Sequence, residues 1–311
     1  MSVDPIVASD TTSRALLTEL KGNSLDDGPG IRSVVFFKGC PLACAWCHNP
    51  ETKRIGSELS FDTKRCLGTL ACLAACDRGA LDRAREGFVD RDLCDVCGRC
   101  VDACPSGAFE VVGRPFDVEQ IIDTISRYQP FYAASGGGVT LSGGEPMIFP
   151  EEAGELLRRL KERGIHTLLE TCGLFSMQRY TALAEPYLDQ VYMDIKILDD
   201  AEHLKWCGTS NRTILDNFRT LIARARAGGV PVLARVPLVP EITATDANLA
   251  AIAGFLRDAG AEEVSLLQYN PLWIEKSSKI GARAEVDRTT WMSAEEVARC
   301  RAHFDGLRLV D

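Results

Sequence analysis

The sequence predicts an α/β fold, a parallel sheet with helices outside it, interrupted by one cysteine-rich insert. Predicted strands and helices alternate about six times along the chain, which is typical of repeated right-handed βα units. Ten of the 13 cysteines lie between Cys40 and Cys104, and the alternation continues after this stretch ends near Gly113. Such a series forms an open doubly wound sheet or a barrel, and in barrels the chemistry lies at the carboxyl ends of the strands.

Each predicted element rests on the spacing of its apolar residues. Runs rich in β-branched and aromatic residues predict strands, and apolar residues three and four positions apart predict helices. The predicted strands are 31–37, 139–141, 165–169, 191–195, 232–239, 264–267 and 307–310. The predicted helices carry the stripes Val118, Ile121, Ile122 and Ile125; Leu156, Leu157 and Leu160; Leu215, Phe218, Leu221 and Ile222; Leu249, Ile252, Phe255 and Leu256; and Val297 with Phe304.

The composition is that of an ordinary globular protein, with 311 residues, of which 46% are hydrophobic and 25% charged. The net charge of −9 argues against bulk binding to nucleic acid or to an anionic membrane. No apolar run is long enough to span a bilayer, and residues 1–17 lack the apolar core of a signal peptide. We therefore expect a cytoplasmic protein. Because disulfides are rare in that compartment, 13 cysteines indicate thiolate-bound metal.

The first cysteine motif is Cys40, Cys44 and Cys47, spaced C-x3-C-x2-C directly after the first predicted strand. Three thiolates on one tight loop can hold three irons of a 4Fe–4S cluster, which leaves the fourth iron free to bind a substrate. A structural zinc site would need four ligands, and His48 could be the fourth. Zinc therefore remains an alternative for this loop.

Residues 27–51 (DGPGIRSVVFFKGCPLACAWCHNPE) resemble the glycyl-radical-enzyme activating enzymes, a branch of the radical S-adenosylmethionine (SAM) superfamily. Trp46 fits the superfamily loop, and the resemblance makes it a candidate for cofactor binding. DGPGIR is more specific to this branch. The resemblance implies a partial (β/α) barrel and a 4Fe–4S cluster on Cys40, Cys44 and Cys47, whose open iron binds SAM. It implies reductive cleavage of SAM to methionine and a 5′-deoxyadenosyl radical, which takes a hydrogen atom from a glycine of a partner glycyl radical enzyme. Glycine suits this reaction because its backbone can enter a narrow site.

A glycine-rich turn follows the second predicted strand. Gly143 and Gly144 would let the backbone approach a ligand, and Glu145 can accept a hydrogen bond from an ammonium group. By itself, such a sequence is more often a plain βα turn. After the cysteine loop, the resemblance implies that it binds the methionine amino group of SAM.

The ends of later predicted strands supply further candidates. Asp194 and Lys196 could be a structural ion pair, but the resemblance places them beside SAM and includes Lys196 with the three cysteines in the catalytic group. Glu170 stands where many members have an acidic residue, and Arg235 is a further candidate for a cofactor contact. Asn270 replaces the histidine of a Tyr-His pair found in many relatives, so it can hydrogen-bond but cannot become cationic.

Three cysteines lie outside the cysteine-rich stretch. Cys172 falls within the candidate site, where a small residue at a strand end is the simplest interpretation. Cys207 and Cys300 are expected to be packing residues, because a free cysteine behaves as a small hydrophobe.

Residues 61–114 are expected to form a ferredoxin-like insert between the barrel segments 1–60 and 115–311. A C-x2-C-x2-C-x3-C-P run, typical of bacterial ferredoxins, is formed by Cys94, Cys97, Cys100, Cys104 and Pro105. In that run the fourth cysteine serves the other cluster of a pair. Zinc is the alternative for these four cysteines.

The upstream run has the same spacing but lacks one cysteine, because Thr69 stands at its second position. The crossed-ligand rule then predicts a complete ligand set, Cys76, Cys94, Cys97 and Cys100. It also predicts an incomplete set, Cys66, Cys72 and Cys104. The incomplete site could hold a three-iron cluster, a four-iron cluster with an unusual ligand, or nothing.

The resemblance covers essentially the whole chain and is to the activating enzymes with a ferredoxin-type insert. It implies a flavodoxin or ferredoxin as electron donor. Our hypothesis for the insert is electron relay to the first cluster, although it could instead shape the surface that meets the partner. The alternatives are a radical SAM enzyme acting on a small molecule, against which DGPGIR argues, and an electron-transfer iron–sulfur protein. An electron-transfer protein would have no use for the cysteine loop, for the SGGEP sequence at residues 142–146 or for the MDIK sequence at residues 193–196.

Overall fold

The computed structural model describes residues 14–85 and 87–310. Its strands are β1 Leu16–Ser24, β2 Arg32–Lys38, β3 Glu58–Phe61, β4 Phe109–Val112, β5 Arg114–Pro115, β6 Gly138–Gly143, β7 His166–Thr171, β8 Gln190–Asp194, β9 Val232–Leu238, β10 Glu263–Gln268 and β11 Arg308–Leu309. Its α-helices are α1 Ala71–Ala74, α2 Arg99–Asp102, α3 Val118–Ser126, α4 Gln129–Ser135, α5 Pro150–Lys161, α6 Met177–Leu183, α7 Asp200–Cys207, α8 Arg212–Arg226, α9 Asp246–Ala259, α10 Trp273–Lys279 and α11 Ala294–Ala302.

A nine-stranded sheet carries most of the chain, in the order β11-β10-β9-β8-β7-β6-β2-β1-β5. Neighbouring strands from β2 to β11 are parallel, whereas β1 pairs antiparallel with both β2 and β5. The order runs between two different edge strands, β11 and β5, as in a partial barrel. The predicted α/β fold with a parallel sheet is therefore confirmed.

The helices cover the sheet with the apolar stripes that the sequence predicts. In α5 the face made by Leu156, Leu157 and Leu160 is fully buried. Burying each leucine is favourable by roughly 1.5–3 kcal/mol. Acidic residues in the first turn of α5 and basic residues in its last turn also match the helix dipole.

The structure departs from the predicted elements in a few places. Phe304 is buried but lies beyond the end of the last helix at Ala302, so its assignment to that helix is wrong. The sequence predicts none of strands β1, β3, β4 and β5 and none of helices α1, α2, α4, α6, α7 and α10. Of residues 1–17, in which we expect no signal peptide, residues 1–13 lie outside the described part of the chain. Across the described part of the chain, no helix is long and apolar enough to cross a membrane.

A second, two-stranded antiparallel sheet, β3 with β4, forms the base of the cysteine-rich insert. Phe61 stacks on Phe109 at a ring-centroid distance of 4.6 Å, and Phe88 packs against both. These rings belong to a hydrophobic cluster separate from the main core. The insert therefore has its own apolar centre.

Candidate active site

The cysteine loop, residues 40–47, begins just after β2 and has no regular secondary structure. Its backbone groups must therefore bond to neighbouring segments. The Ala43 N–H donates to the Cys207 carbonyl at 2.8 Å, and the Lys53 ammonium donates to the Cys44 carbonyl at 2.7 Å. The loop is thus held by both a helix end and a side chain.

The three thiols of the loop lie close together. Cys44 is buried, and Cys40 and Cys47 are half-buried. Burial raises the pKa of Cys47 to about 12, and the nearby thiols of Cys44 and Cys40 contribute to the rise. The side chain of Trp46, predicted as a cofactor contact, lies in the hydrophobic core with 3% of its surface exposed.

Two further thiols contact the loop. Cys207 is fully buried and donates its S–H to the sulfur of Cys44, which lowers the pKa of Cys44 and raises that of Cys207. Cys172 is hydrogen-bonded to Cys40, and this bond together with burial raises the pKa of Cys172. Packing alone therefore does not describe Cys172 or Cys207, whereas Cys300 lies in the core. No spacing rule in the sequence identifies these two contacts.

The glycine-rich turn lies against the start of the cysteine loop. Gly143 has a φ of +105°, and the Gly144 N–H donates to the Phe37 carbonyl at 2.9 Å. A Cβ atom on Gly144 would lie 2.0 Å from the carbonyl oxygen of Gly39. Contact between the two strand ends thus requires glycine here.

Glu145 is fully buried and bonded within the protein. Its Oε1 accepts from the Met147 N–H at 3.1 Å, and its Oε2 accepts from the Thr171 hydroxyl and the Cys172 N–H, both at 2.7 Å. Burial raises the pKa of Glu145, although these hydrogen bonds oppose the rise. The carboxylate therefore ties the end of β6 to the end of β7.

Charged side chains meet at the carboxyl ends of β7, β8 and β9. Arg235 donates through Nη1 to Glu170 at 2.5 Å and through Nε to Asp194 at 3.1 Å. Lys196 donates to the other Asp194 oxygen at 2.7 Å, and the Ser142 hydroxyl donates to Glu170 at 2.6 Å. Parallel pairing places Asp194 directly opposite Arg235. We call Glu170, Asp194, Lys196 and Arg235 the charged network.

Burial and ion pairing shift the pKa values of the charged network. Burial raises the pKa of Glu170, although Arg235 opposes the rise. Burial would also raise the pKa of Asp194, but Lys196 and Arg235 outweigh it and hold that pKa below its usual value. Burial would lower the pKa of Lys196, but the negative charges of Asp194 and of the Cys44 thiolate outweigh it and raise that pKa. Lys196 is thus a permanent cation beside the cysteine loop.

Asn270 follows β10 and forms a local turn, because its Oδ1 accepts from the Leu272 N–H at 2.9 Å. The preceding Tyr269 is buried, and its hydroxyl donates to the Arg288 carbonyl at 2.7 Å. Trp273 Nε1 donates to the same hydroxyl at 3.2 Å. The Asn270 side-chain oxygen thus already accepts a hydrogen bond from the backbone of its own loop.

The insert brings one group of four thiols around a common cavity. Burial raises the pKa of Cys100 to about 11, and the neighbouring thiols contribute to the rise. This cavity is small and partly open to solvent. The cysteines that line it are Cys76, Cys94, Cys97 and Cys100.

The remaining thiols of the insert, those of Cys66, Cys72 and Cys104, form a second group. Burial raises the pKa of Cys72, and the thiols of Cys104 and Cys66 add to the effect. Thr69 is exposed at the surface. The two groups are the sets named by the crossed-ligand rule, and their role as ligands stays a prediction.

Comparison with known proteins identifies the family. The family model described as the radical SAM superfamily matches residues 34–251. The chain belongs to this superfamily. An isethionate sulfite-lyase activating enzyme of Nitratidesulfovibrio vulgaris is 41% identical to it over 301 residues, covering 94% of this chain and 96% of the relative. This radical SAM enzyme is therefore a glycyl radical enzyme activating enzyme, an oxidoreductase that uses radical SAM chemistry to generate a glycyl radical.

Two relatives come from one organism, Oleidesulfovibrio alaskensis. An isethionate sulfite-lyase activating enzyme is 39% identical over 281 residues, covering 88% of this chain and 90% of the relative. A choline trimethylamine-lyase activating enzyme is 33% identical over 297 residues, covering 93% and 94%.

The family uses a 4Fe–4S cluster together with SAM, and the donor set of the cysteine loop fits such a cluster. Three thiolates are soft ligands that suit iron–sulfur clusters, and a cluster held by three of them keeps one open iron. No three His, Cys, Asp or Glu side chains among the described residues are spaced to hold a single metal ion.

Proposed function

We propose that Cys40, Cys44 and Cys47 hold the SAM-binding cluster and that the charged network lines the SAM site. The main support for this proposal is that the loop thiols and the Lys196 ammonium lie together at the carboxyl ends of the parallel strands. When bound, the cluster supplies the electron that cleaves SAM. Lys196 provides a fixed cation, and Glu170, Asp194 and Arg235 provide acceptors and donors that orient the polar groups of SAM.

The glycine-rich turn has a positioning role in this proposal. Gly143 and Gly144 set the distance between the end of β6 and the cysteine loop, and Glu145 holds the end of β6 to β7. The backbone of this turn then faces the methionine part of SAM. Trp46 supports the loop from the core, and Asn270 contributes a side-chain amide at the end of β10.

The proposal is tested by anaerobic reconstitution followed by reduction with dithionite and detection of 5′-deoxyadenosine. The loaded protein should cleave SAM, and Cys44→Ala should lose both the cleavage and about four irons. The buried core cysteine variant Cys300→Ala is the matched control and should keep both. A loaded protein that cleaves no SAM would overturn the assignment.

We propose isethionate sulfite-lyase as the partner enzyme. Support comes from the two relatives of one organism, since the chain is 39% identical to the isethionate sulfite-lyase activating enzyme and 33% identical to the choline trimethylamine-lyase activating enzyme. The test mixes the reduced enzyme and SAM with each lyase separately and measures the glycyl radical by EPR. Radical formation only in the choline lyase would refute this partner.

We also propose that residues 61–114, extended at the base by the β3–β4 pairing, form a separate ferredoxin-like domain. Its Cys76, Cys94, Cys97 and Cys100 would hold an auxiliary 4Fe–4S cluster. A cytoplasmic flavodoxin or ferredoxin would then reduce the SAM-binding cluster through it. If Cys97→Ser removed the auxiliary cluster but left activation with flavodoxin unchanged, the relay would be refuted.

A further inference from the structure

The two halves of the insert repeat one another at a spacing of 28 residues. Helix α1 and helix α2 occupy equivalent positions, and each is preceded by a residue in the left-handed region, Leu70 with φ +60° and Gly98 with φ +81°. The Ala80 N–H donates to Cys76 Sγ at 3.3 Å, and the equivalent Ala108 N–H donates to Cys104 Sγ at 3.3 Å. The halves therefore share one backbone design around their thiols.

The upstream half has this backbone conformation although Thr69 stands in place of its second cysteine. A leucine in the left-handed region is strained relative to glycine, which the downstream half has at the same position. Gly68, with φ +72°, likewise matches Val96, with φ +56°. The loop on either side of Thr69 thus has the conformation of the loop that holds Cys97.

The remaining thiols of this half are placed as in the complete set. Cys72 and Cys100 occupy the same helical position, and they are 9% and 8% exposed within one hydrophobic cluster. Cys104 comes from the other half, as the crossed arrangement requires, and Cys66 is exposed. Only the corner equivalent to Cys97 lacks a thiol, and there Thr69 is exposed to solvent.

We propose that Cys66, Cys72 and Cys104 hold a second four-iron cluster in the insert, whose fourth iron, at the Thr69 corner, takes a hydroxide or a small thiol from solution. This rests on the proposed function of the insert as a cluster-binding domain. The enzyme then has two clusters with an open iron, the SAM-binding one and this one at the surface of the insert.

The test uses the full chain with Cys40, Cys44 and Cys47 all changed to Ala, so that only the insert can bind iron. After anaerobic reconstitution this protein should contain about eight irons. Adding Cys72→Ala, or Cys100→Ala at the matched position of the other half, should each remove about four. An iron content that Cys72→Ala leaves unchanged would overturn the proposal, as would about seven irons with the EPR signal of an oxidised three-iron cluster. No iron at all would refute the proposed function of the insert as well.

The open iron is tested separately. The variants change Thr69 and Cys97, which are both exposed, so the apolar core of the insert is not altered. Adding 2-mercaptoethanol should change the EPR spectrum of the reduced protein in this background. Thr69→Cys should abolish the change by completing the ligand set, whereas Cys97→Thr, its mirror image, should create a second thiol-responsive cluster. A response that persists in Thr69→Cys would overturn the proposal.

Discussion

Lys38 and Glu58 form a salt bridge of 2.5 Å with side chains that are 0% and 5% exposed. Lys38 ends β2, two residues before Cys40, and Glu58 begins β3 of the insert. The Lys38 ammonium also donates to the Glu51 carbonyl at 2.6 Å, and the Arg91 guanidinium lies 3.9 Å from Glu58. One buried ion pair thus joins the end of β2, just before the cysteine loop, to the insert.

Breaking this pair should destabilise the protein strongly, because the remaining charge would be buried without its partner. We expect Lys38→Met or Glu58→Gln to lower the free energy of unfolding by about 3–5 kcal/mol. Anaerobic urea unfolding of the reconstituted protein measures it. The matched control is Lys64→Met, which breaks an exposed pair with Glu275 and should cost less than about 1 kcal/mol. Equal losses for Lys38→Met and Lys64→Met would contradict this.

Gly144→Ala should disturb the cysteine loop, because the new Cβ would lie 2.0 Å from the Gly39 carbonyl oxygen. Both strand ends would have to move, at a cost of about 1–3 kcal/mol or more, and the iron content after reconstitution should fall. Gly254→Ala in α9 is the control, since a Cβ there meets nothing within 4 Å and should stabilise the helix by about 1 kcal/mol. A Gly144→Ala protein with full iron content would show that the close contact is dispensable.

Arg235 bridges two carboxylates, which a lysine cannot reproduce because it lacks the forked geometry of the guanidinium. We expect Arg235→Met to lower kcat/KM for SAM cleavage at least about tenfold, which corresponds to about 1.4 kcal/mol of transition-state stabilisation. Arg235→Lys should recover part of the loss by keeping the charge. The measurement is 5′-deoxyadenosine formation at equal iron content. A full recovery in Arg235→Lys would mean that charge alone matters.

Removing the Cys207 thiol should raise the pKa of Cys44, because the S–H donor that stabilises the Cys44 thiolate is lost. In the iron-free protein, Cys44 should then be alkylated more slowly by iodoacetamide at pH 7.5, as followed by mass spectrometry. Cys207→Ser keeps a donor and should restore much of the rate, whereas Cys300→Ala should have no effect. An unchanged rate in Cys207→Ala would show that the contact does not tune Cys44.

Strand β2 is the clearest of the parallel strands in the sequence, because six of its seven residues are buried and Val34–Phe37 form a continuous apolar run. Strand β1 was missed because LLTELKGNS mixes polar and apolar residues, and its burial follows no simple alternation. Its place is set by antiparallel pairing with β2 and includes two register shifts. Such pairing depends on the partner strand and not on a local pattern.

The residues of the candidate site could be found one at a time, but their pairings could not. Glu170 and Arg235 are 65 residues apart, and only the order of β7, β8 and β9 brings them into contact. Cys207 reaches Cys44 because α7 ends against the cysteine loop. In both cases tertiary contact decides what a single residue does, and the sequence carries no motif for it.

The insert leaves and rejoins the barrel at a single point. Glu58 pairs with Val112 at the base of the two-stranded sheet, and the Ser57 hydroxyl donates to the Gly113 carbonyl at 2.9 Å. A module whose ends meet in this way can be gained or lost during evolution without moving the strands around it.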